Sequence, residues 1–369
     1  MFCAADLNRC SGSVVRARLI AEGLSRCGGN VHVVAFGIPS HFPENEIRST
    51  TVGPEDRWDE AVLSSMSSFR PDILLGITEV GTDVLADAGA RFRCPVVFDL
   101  HGIGAIEIIE LGREYGPRWG RLRDSCRWLS RIPGAAAITV ANPTLFSILK
   151  PFNKRTIPFI GMTDVSLFCP EGPSVSLGRD RTKLQVLYAG NCFKWQGVDL
   201  LVEAMKILLR DREPMEFTLM GTARRDERVT TAWRAGLPLE TVHFREAVDY
   251  SQVPGYVRGA DILVIPRPFM LSTYLAFPQK LVDYMASGRV IVATNLAPHR
   301  FGLFSPPSGI LCPPTVSGLV EGIRKAKTRP LREELSASAR RKALDLFCHL
   351  RQTSRMYSLF GEIVRGGAG

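Results

Sequence analysis

The feature that most constrains this chain is a series of short, unbroken apolar runs, each followed by a longer segment with helical spacing. In the first half the runs are FCAA, VHVVAF, DILLGI, PVVFDL and AAAITVA; in the second they are LQVLYAG, MEFTLMG, TVHF, DILVIP and VIVAT. A strand with one wet face alternates apolar and polar residues, whereas runs without alternation belong to strands covered on both faces. Strands of that kind separated by helices build a doubly wound parallel sheet. The two series are divided by the stretch from Gly161 to Lys183, rich in Pro, Gly and Ser, and 369 residues exceed what one ordinary core organises. The expected class is therefore α/β: two tandem Rossmann-like, doubly wound parallel-sheet domains facing a cleft. Residues 1–170 form the first, residues 171–348 the second with the boundary near Glu171, and residues 349–369 a last helix that crosses back to the first.

Composition narrows the function classes. Hydrophobic residues at 45% and charged residues at 22% are globular values. No apolar run approaches the ~18 residues of a membrane span, and no basic segment leads into an apolar one at the start. Strand one begins almost at Met1, where the fold usually has a few more residues, so either a start further upstream or a short sheet edge is expected. Nine cysteines are scattered without a CxxC pair, which argues against a disulfide framework or a zinc site and for a reducing cytoplasm. The net charge of +9 falls in the second half, since the first 165 residues are close to neutral. Those basic residues lack the interleaved aromatics of a base-stacking surface, so phosphate-bearing small substrates or an anionic membrane are expected and nucleic acid is not.

Ligands of such sheets bind beyond the carboxyl ends of strands, so chemistry is sought in the loops there. After the first run, Gly12 and Ser13 open a helix whose backbone amides can hold a phosphate; the alternative is a turn glycine with Ser13 as N-cap. After PVVFDL stands His101, able to hydrogen-bond a ligand hydroxyl or support a developing charge, or else merely to cap the next helix. The loop after LQVLYAG carries Gly190, Asn191, Lys194 and Gln196, where Lys194 can neutralise a diphosphate; the alternative is a solvated cation beside a packing Trp195. Finally, FPQKLVDYMASGRVIVA joins a helix start at Pro278, a helix stop at Gly288 and a buried strand. Its Gln279 and Lys280 sit where the helix amino terminus attracts phosphate, and Asp283 one turn on can accept from ribose hydroxyls. A solvated Lys and Asp on an ordinary helix is the other reading.

Together, the Gly-Ser loop, DLHG at His101, DVSLFCP from Asp164 to Pro170, GNCFKWQGVDLLVEA, GADILVIP and KLVDYMASGRVIVAT resemble the family 4 retaining GT-B glycosyltransferases (glycosyl transferases group 1). The resemblance implies a nucleotide-diphosphate sugar held mainly by the second domain and an acceptor held mainly by the first. It implies that Asp283 holds the ribose, that Lys194 lies near the diphosphate and that His101 lies near the transferred sugar. It further implies retention of configuration, with the leaving phosphate helping to deprotonate the acceptor, no cofactor and no essential metal. Two positions depart from the pattern: Leu275 stands where a glutamate often holds the donor sugar, and Gln196 where the loop usually has a lysine.

The expected function is transfer of a sugar, of hexosyl type, to a glycan or lipid-linked acceptor in polysaccharide biosynthesis. A GT-B protein reduced to a binding or partner subunit, and a GT-B sugar epimerase, are the rival expectations. The segment RWGRLRDSCRWLSR, residues 118–131, gathers Trp119, Leu122, Cys126 and Leu129 among arginines, the pattern of a helix lying on anionic lipid or of one packed on its own sheet. Location is expected to be cytoplasmic, and peripheral at the inner membrane face if that helix meets lipid.

Overall fold

The computed structural model describes residues 1–7, 11–37, 47–53, 57–112, 122, 126–221 and 227–366. The chain divides into two compact units, one of residues 1–162, 275–279 and 348–369, the other of residues 163–274 and 280–347. Stretch 163–170 thus belongs with the second sheet.

The first unit holds β1 (Phe2–Asp6), β2 (Val31–Gly37), β3 (Ile47–Thr51), β4 (Leu74–Ile77), β5 (Val96–Leu100), β6 (Ala137–Val140) and β7 (Thr156–Pro158). They pair in the order β3-β2-β1-β4-β5-β6-β7, every pair parallel. The second unit holds β8 (Leu184–Ala189), β9 (Met215–Met220), β10 (Val242–Arg245), β11 (Ile262–Ile265), β12 (Val290–Thr294) and β13 (Ile310–Cys312), ordered β10-β9-β8-β11-β12-β13 and again all parallel. Every residue of β4, β5, β6, β11 and β12 is buried, as unbroken apolar runs require. The expected pair of doubly wound parallel sheets is present.

Three strands were not legible as apolar runs: β3, β7 and β13. All lie at sheet edges, and β3 leaves most of its side chains at least partly exposed, so its residues IRSTT satisfy only one neighbour. An edge strand needs little apolar sequence because one side of its ladder is never buried.

In the first unit the helix His349–Gly366 packs on the helix Gly12–Arg26, where Gly23 leaves room that any Cβ would take from Thr353. Gln352 Nε2 also donates to the carbonyls of Ile160 (3.1 Å) and Gly161 (2.6 Å). Leu275 is 3% exposed and lies in this unit's core with Phe98, Leu100 and Val140.

The second unit packs helices Val198–Arg210 and Val316–Lys325 on its sheet. The Pro/Gly-rich stretch expected as a loose linker is tied down at both ends. Thr163 N–H donates to Phe347 O at 2.8 Å, and Arg340 Nη1 reaches the carbonyls of Val165 (3.0 Å), Phe168 (2.9 Å) and Ala286 (2.7 Å). Farther on, the buried Glu216 carboxylate receives the N–H groups of Arg179 (2.7 Å) and Asp180 (3.1 Å). A segment without periodic apolar residues has no strand or helix to satisfy its backbone, so charged side chains supply the partners.

Of the arginine-rich segment 118–131, residues 118–121 and 123–125 lie outside the described residues. In the remainder Trp128 is buried in the first unit's core and Leu129 is 47% exposed. Among the described residues no helix is long and apolar enough to cross a membrane.

Candidate functional site

In the second unit the polar side chains gather where β8 and β11 end. Gly190 follows β8 with φ +146°, and a Cβ there would collide with Lys280 Nζ. The absence of a side chain lets the ammonium come down onto the loop backbone. Lys280 Nζ donates to Gln196 Oε1 at 3.1 Å and lies 4.2 Å from the centre of the Tyr188 ring. Tyr188 in turn donates its hydroxyl to Asn191 O, which fixes the loop. Burial, with the positive charge of Arg267, holds Lys280 well below the usual lysine range. Its hydrogen-bond partner is a neutral amide, so nothing on the protein side of that bond balances a charge.

Arg267 follows β11 and is 4% exposed, its guanidinium 5.1 Å from the centre of the Trp195 ring. Its backbone is held by a relay from the next strand and helix. Thr294 Oγ1 donates to Arg267 O at 2.7 Å, and His299 Nδ1–H donates to Thr294 O at 2.6 Å. Burial, then Arg267, pushes His299 down to about 3, so the imidazole is neutral and can make that bond as a donor. Two cationic side chains thus sit within one small, largely buried region.

Asp283 is 5% exposed on the helix Gln279–Ala286. Its Oδ1 accepts from Thr163 Oγ1 at 2.7 Å and from Tyr250 OH at 3.1 Å. These two hydroxyls set the orientation of a carboxylate that offers about four acceptor positions. Lys194 lies on the short turn Lys194–Gln196 and is exposed, as is Asn191. Gln196 is 5% exposed and faces Lys280.

The first unit has its own polar centre beyond β5. Asp99 is fully buried near the end of that strand and receives Arg16 through two bonds, Nε to Oδ2 at 2.7 Å and Nη2 to Oδ1 at 2.9 Å. Thr139 Oγ1 donates to Oδ1 at 2.6 Å, and His101 Nε2 lies 2.6 Å from Oδ2. Burial pushes the Asp99 carboxyl up, but Arg16 and then His101 outweigh it and hold the group well below the carboxylate range. Burial lowers His101 against the pull of Asp99. His101 does not cap the next helix: Ile103 is the N-cap of Gly104–Leu111, and Gly104 N–H donates to Glu79 Oε2 at 2.9 Å.

At the other candidate loop the helix begins two residues earlier than the Ser13 reading placed it. Ser11 is the N-cap, accepting from Val14 N–H at 3.4 Å, so Gly12 and Ser13 lie in the first helical turn. Gln279, grouped with the first unit, lies against Gly12, where a Cβ would come 3.3 Å from its own, and donates from Nε2 to Met162 O at 2.6 Å.

The structure therefore brings Gly190, Gln196 and Lys280 together, places Gln279 with Gly12, ties His101 to Asp99, and leaves Lys194 and Asn191 on the surface. The reading from sequence missed Arg267, Tyr188, Tyr250, Thr163 and Asp99. Arg267 was accessible by the strand-end rule, and Asp99 by the oddity of a carboxylate inside the run PVVFDL. Tyr250 and Thr163 carry no local signal. Among the described residues no group of three or more His, Cys, Asp or Glu side chains could hold a metal ion.

Two parallel doubly wound α/β sheets, the second ending in loops that gather cations, define the GT-B class of fold. Solved structures of that fold are similar over nearly the whole length. Sucrose-phosphate synthase from Thermosynechococcus elongatus is 17% identical, with 99% of each chain covered and a TM-score of 0.78. Anabaena HepE in complex with UDP-glucose is 15% identical, with 97% of this chain and 98% of that one covered and a TM-score of 0.73. WaaG, a glycosyltransferase involved in lipopolysaccharide biosynthesis, is 17% identical over 97% of this chain and 99% of its own, with a TM-score of 0.72. No curated protein matches by sequence. Residues 183–327 match the family described as Glycosyl transferases group 1, so the second unit carries a glycosyltransferase domain and the expectation of an enzyme of that class holds.

Proposed function

We propose that the chain is a retaining glycosyltransferase that moves a sugar from a nucleotide-diphosphate donor to a glycan or lipid-linked acceptor. The observation that carries this is the meeting of Lys280 and Arg267 at the ends of β8 and β11, inside the stretch that matches the family. A largely desolvated ammonium whose hydrogen-bond partner among the described residues is an amide, close to a guanidinium, is costly by itself and favourable with a diphosphate beside it. The two cations, with the amino terminus of the Gln279–Ala286 helix, stabilise charge that develops on the leaving nucleotide. Lys194, on the exposed side of the neighbouring turn, is a third cation. Asp283, oriented by Thr163 and Tyr250, receives the ribose hydroxyls, and His101 serves the transferred sugar. The leaving phosphate takes the acceptor's proton in this reading, with retention of configuration.

The similar structures support the substrate class: HepE was solved with UDP-glucose, and WaaG is named for lipopolysaccharide biosynthesis. The proposed location is cytoplasmic, with contact to anionic lipid through residues 118–131. Flotation with anionic vesicles at low salt tests the latter, and absence of association removes it.

Leu275 favours a second reading. Buried in an apolar core, it supplies no hydroxyl contact, as in a subunit that binds nucleotide without turning it over. Titration calorimetry with UDP, GDP and ADP, followed by release of nucleotide from the matching labelled sugar donors, separates the two. Acceptor-dependent release of one nucleotide is expected. Binding without release would favour the subunit, release without acceptor dependence an epimerase, and no binding would overturn the assignment.

A further inference from the structure

We infer that Asp99 is a positioning residue that locks His101 in the Nε2–H tautomer and so turns its Nδ1 lone pair into the face offered to a ligand hydroxyl. The inference deepens the proposed function, since it rests on His101 facing the transferred sugar.

The argument begins with the carboxylate. Asp99 makes four short polar contacts with three side chains, two from Arg16, one from Thr139 and one from His101. Both its oxygens are engaged by a guanidinium that is itself 3% exposed. Such a two-point ion pair keeps the carboxylate ionised and acceptor-only, so the His101 Nε2 at 2.6 Å must carry the hydrogen between them. The same ion pair decides the charge on the imidazole. Arg16 already balances Asp99, and burial, with that guanidinium close by, works against a charged imidazole beside the pair. His101 is therefore neutral, and with its one hydrogen spent on Asp99 its Nδ1 is an acceptor.

The consequence separates two roles that an unsupported loop histidine could play. A protonated or Nδ1–H imidazole would donate to a sugar oxygen; the one built here accepts a hydroxyl hydrogen and orients that hydroxyl. Thr139 and Arg16 act one step further out, by keeping the carboxylate from rotating or taking up a proton.

The test is the imidazole nitrogen spectrum of the full-length protein labelled with nitrogen-15 histidine, the His101 signals assigned by their loss in His101→Asn. The wild type is expected to show a protonated Nε2 and a bare Nδ1. A bare Nε2, or two protonated nitrogens at neutral pH, would overturn the inference. This result needs no turnover, so it stands apart from failure of the donor assignment. Where turnover is observed, Asp99→Asn is expected to lower kcat at least tenfold with KM changed less than threefold and to scramble the tautomer. An equal fall in folded fraction and activity with the tautomer retained would make Asp99 structural only. Should Asp99→Asn not fold, Thr139→Val provides the second variant: a measurable shift of the Nε2 resonance without tautomer change is expected, and no shift counts against coupling through the carboxylate.

Discussion

Replacing Lys280 by methionine tests the site from two sides at once. Methionine keeps most of the chain that lies against Tyr188 and removes the ammonium that donates to Gln196 at 3.1 Å. Loss of one charge-assisted contact to a phosphate costs about 1.5–3 kcal/mol, roughly a 10- to 150-fold rise in the Kd for a nucleoside diphosphate. Stability responds with the opposite sign. Burial and Arg267 lower the Lys280 pKa in the folded protein, while the unfolded chain titrates near ~10.4. Between those two values the unfolded state binds the extra proton, so wild-type stability rises with pH through that window and is reduced below it. Each unit of depression corresponds to about 1.4 kcal/mol. Lys280→Met lacks this term, and against it stands the amide of Gln196 left without its donor, a cost of about 1–3 kcal/mol. The melting temperature of the variant minus that of the wild type should therefore shrink as pH rises from 7 to 10. Proton uptake on nucleotide binding gives a third readout: in calorimetry the wild-type binding enthalpy should vary with the ionisation enthalpy of the buffer, and that of the variant should not. Unchanged nucleotide affinity together with a flat difference in melting temperature would refute the reasoning.

Three further outcomes are expected. Asp283→Ala should weaken nucleotide binding tenfold or more by calorimetry, because it removes the carboxylate that Thr163 and Tyr250 orient; equal affinity would place the ribose elsewhere. Gly190→Ala should displace the Lys280 ammonium and also strain a backbone at φ +146°, lowering affinity for nucleotide more than Asn191→Ala does on the adjacent exposed residue. Arg340→Ala should destabilise the second unit by about 2 kcal/mol in thermal or denaturant unfolding, since one guanidinium nitrogen serves three carbonyls of otherwise irregular or helix-end backbone.

Legibility of the fold followed burial. Runs such as DILVIP and VIVAT became the fully buried β11 and β12 because a strand covered on both faces must be apolar throughout. The edge strands β3, β7 and β13 escaped because their short or mixed sequences meet weaker demands. Positions in the candidate site were legible where residue type and chain position coincide, as at His101, Lys280 and Asp283 beyond or beside core strands. It was illegible where function depends on a partner remote in sequence. Asp99 receives Arg16 across 83 residues and Asp283 receives Thr163 across 120, distances over which no periodicity speaks. The same limit applied to Leu275, whose meaning came only from its burial among core residues of the first unit.

The two departures from the family pattern differ in kind once the packing is seen. Leu275 loses a carboxylate and puts an apolar group into a core, so nothing polar takes its place at that position. Gln196 is another matter. Its amide oxygen receives the Lys280 ammonium, which means that the loop position expected to carry a cation instead holds one delivered by the neighbouring helix. A charge delivered from the helix start has a physical effect: the ammonium is fixed by Gln196, by the Tyr188 ring and by the bare backbone at Gly190 as well as by its own flexible stem. A cation held in place before a diphosphate arrives loses little conformational freedom on binding it, although it is costly to keep buried in the empty site. A lysine at both positions would set two ammonium groups against one another, whereas glutamine at 196 offers the Lys280 ammonium a neutral acceptor at 3.1 Å.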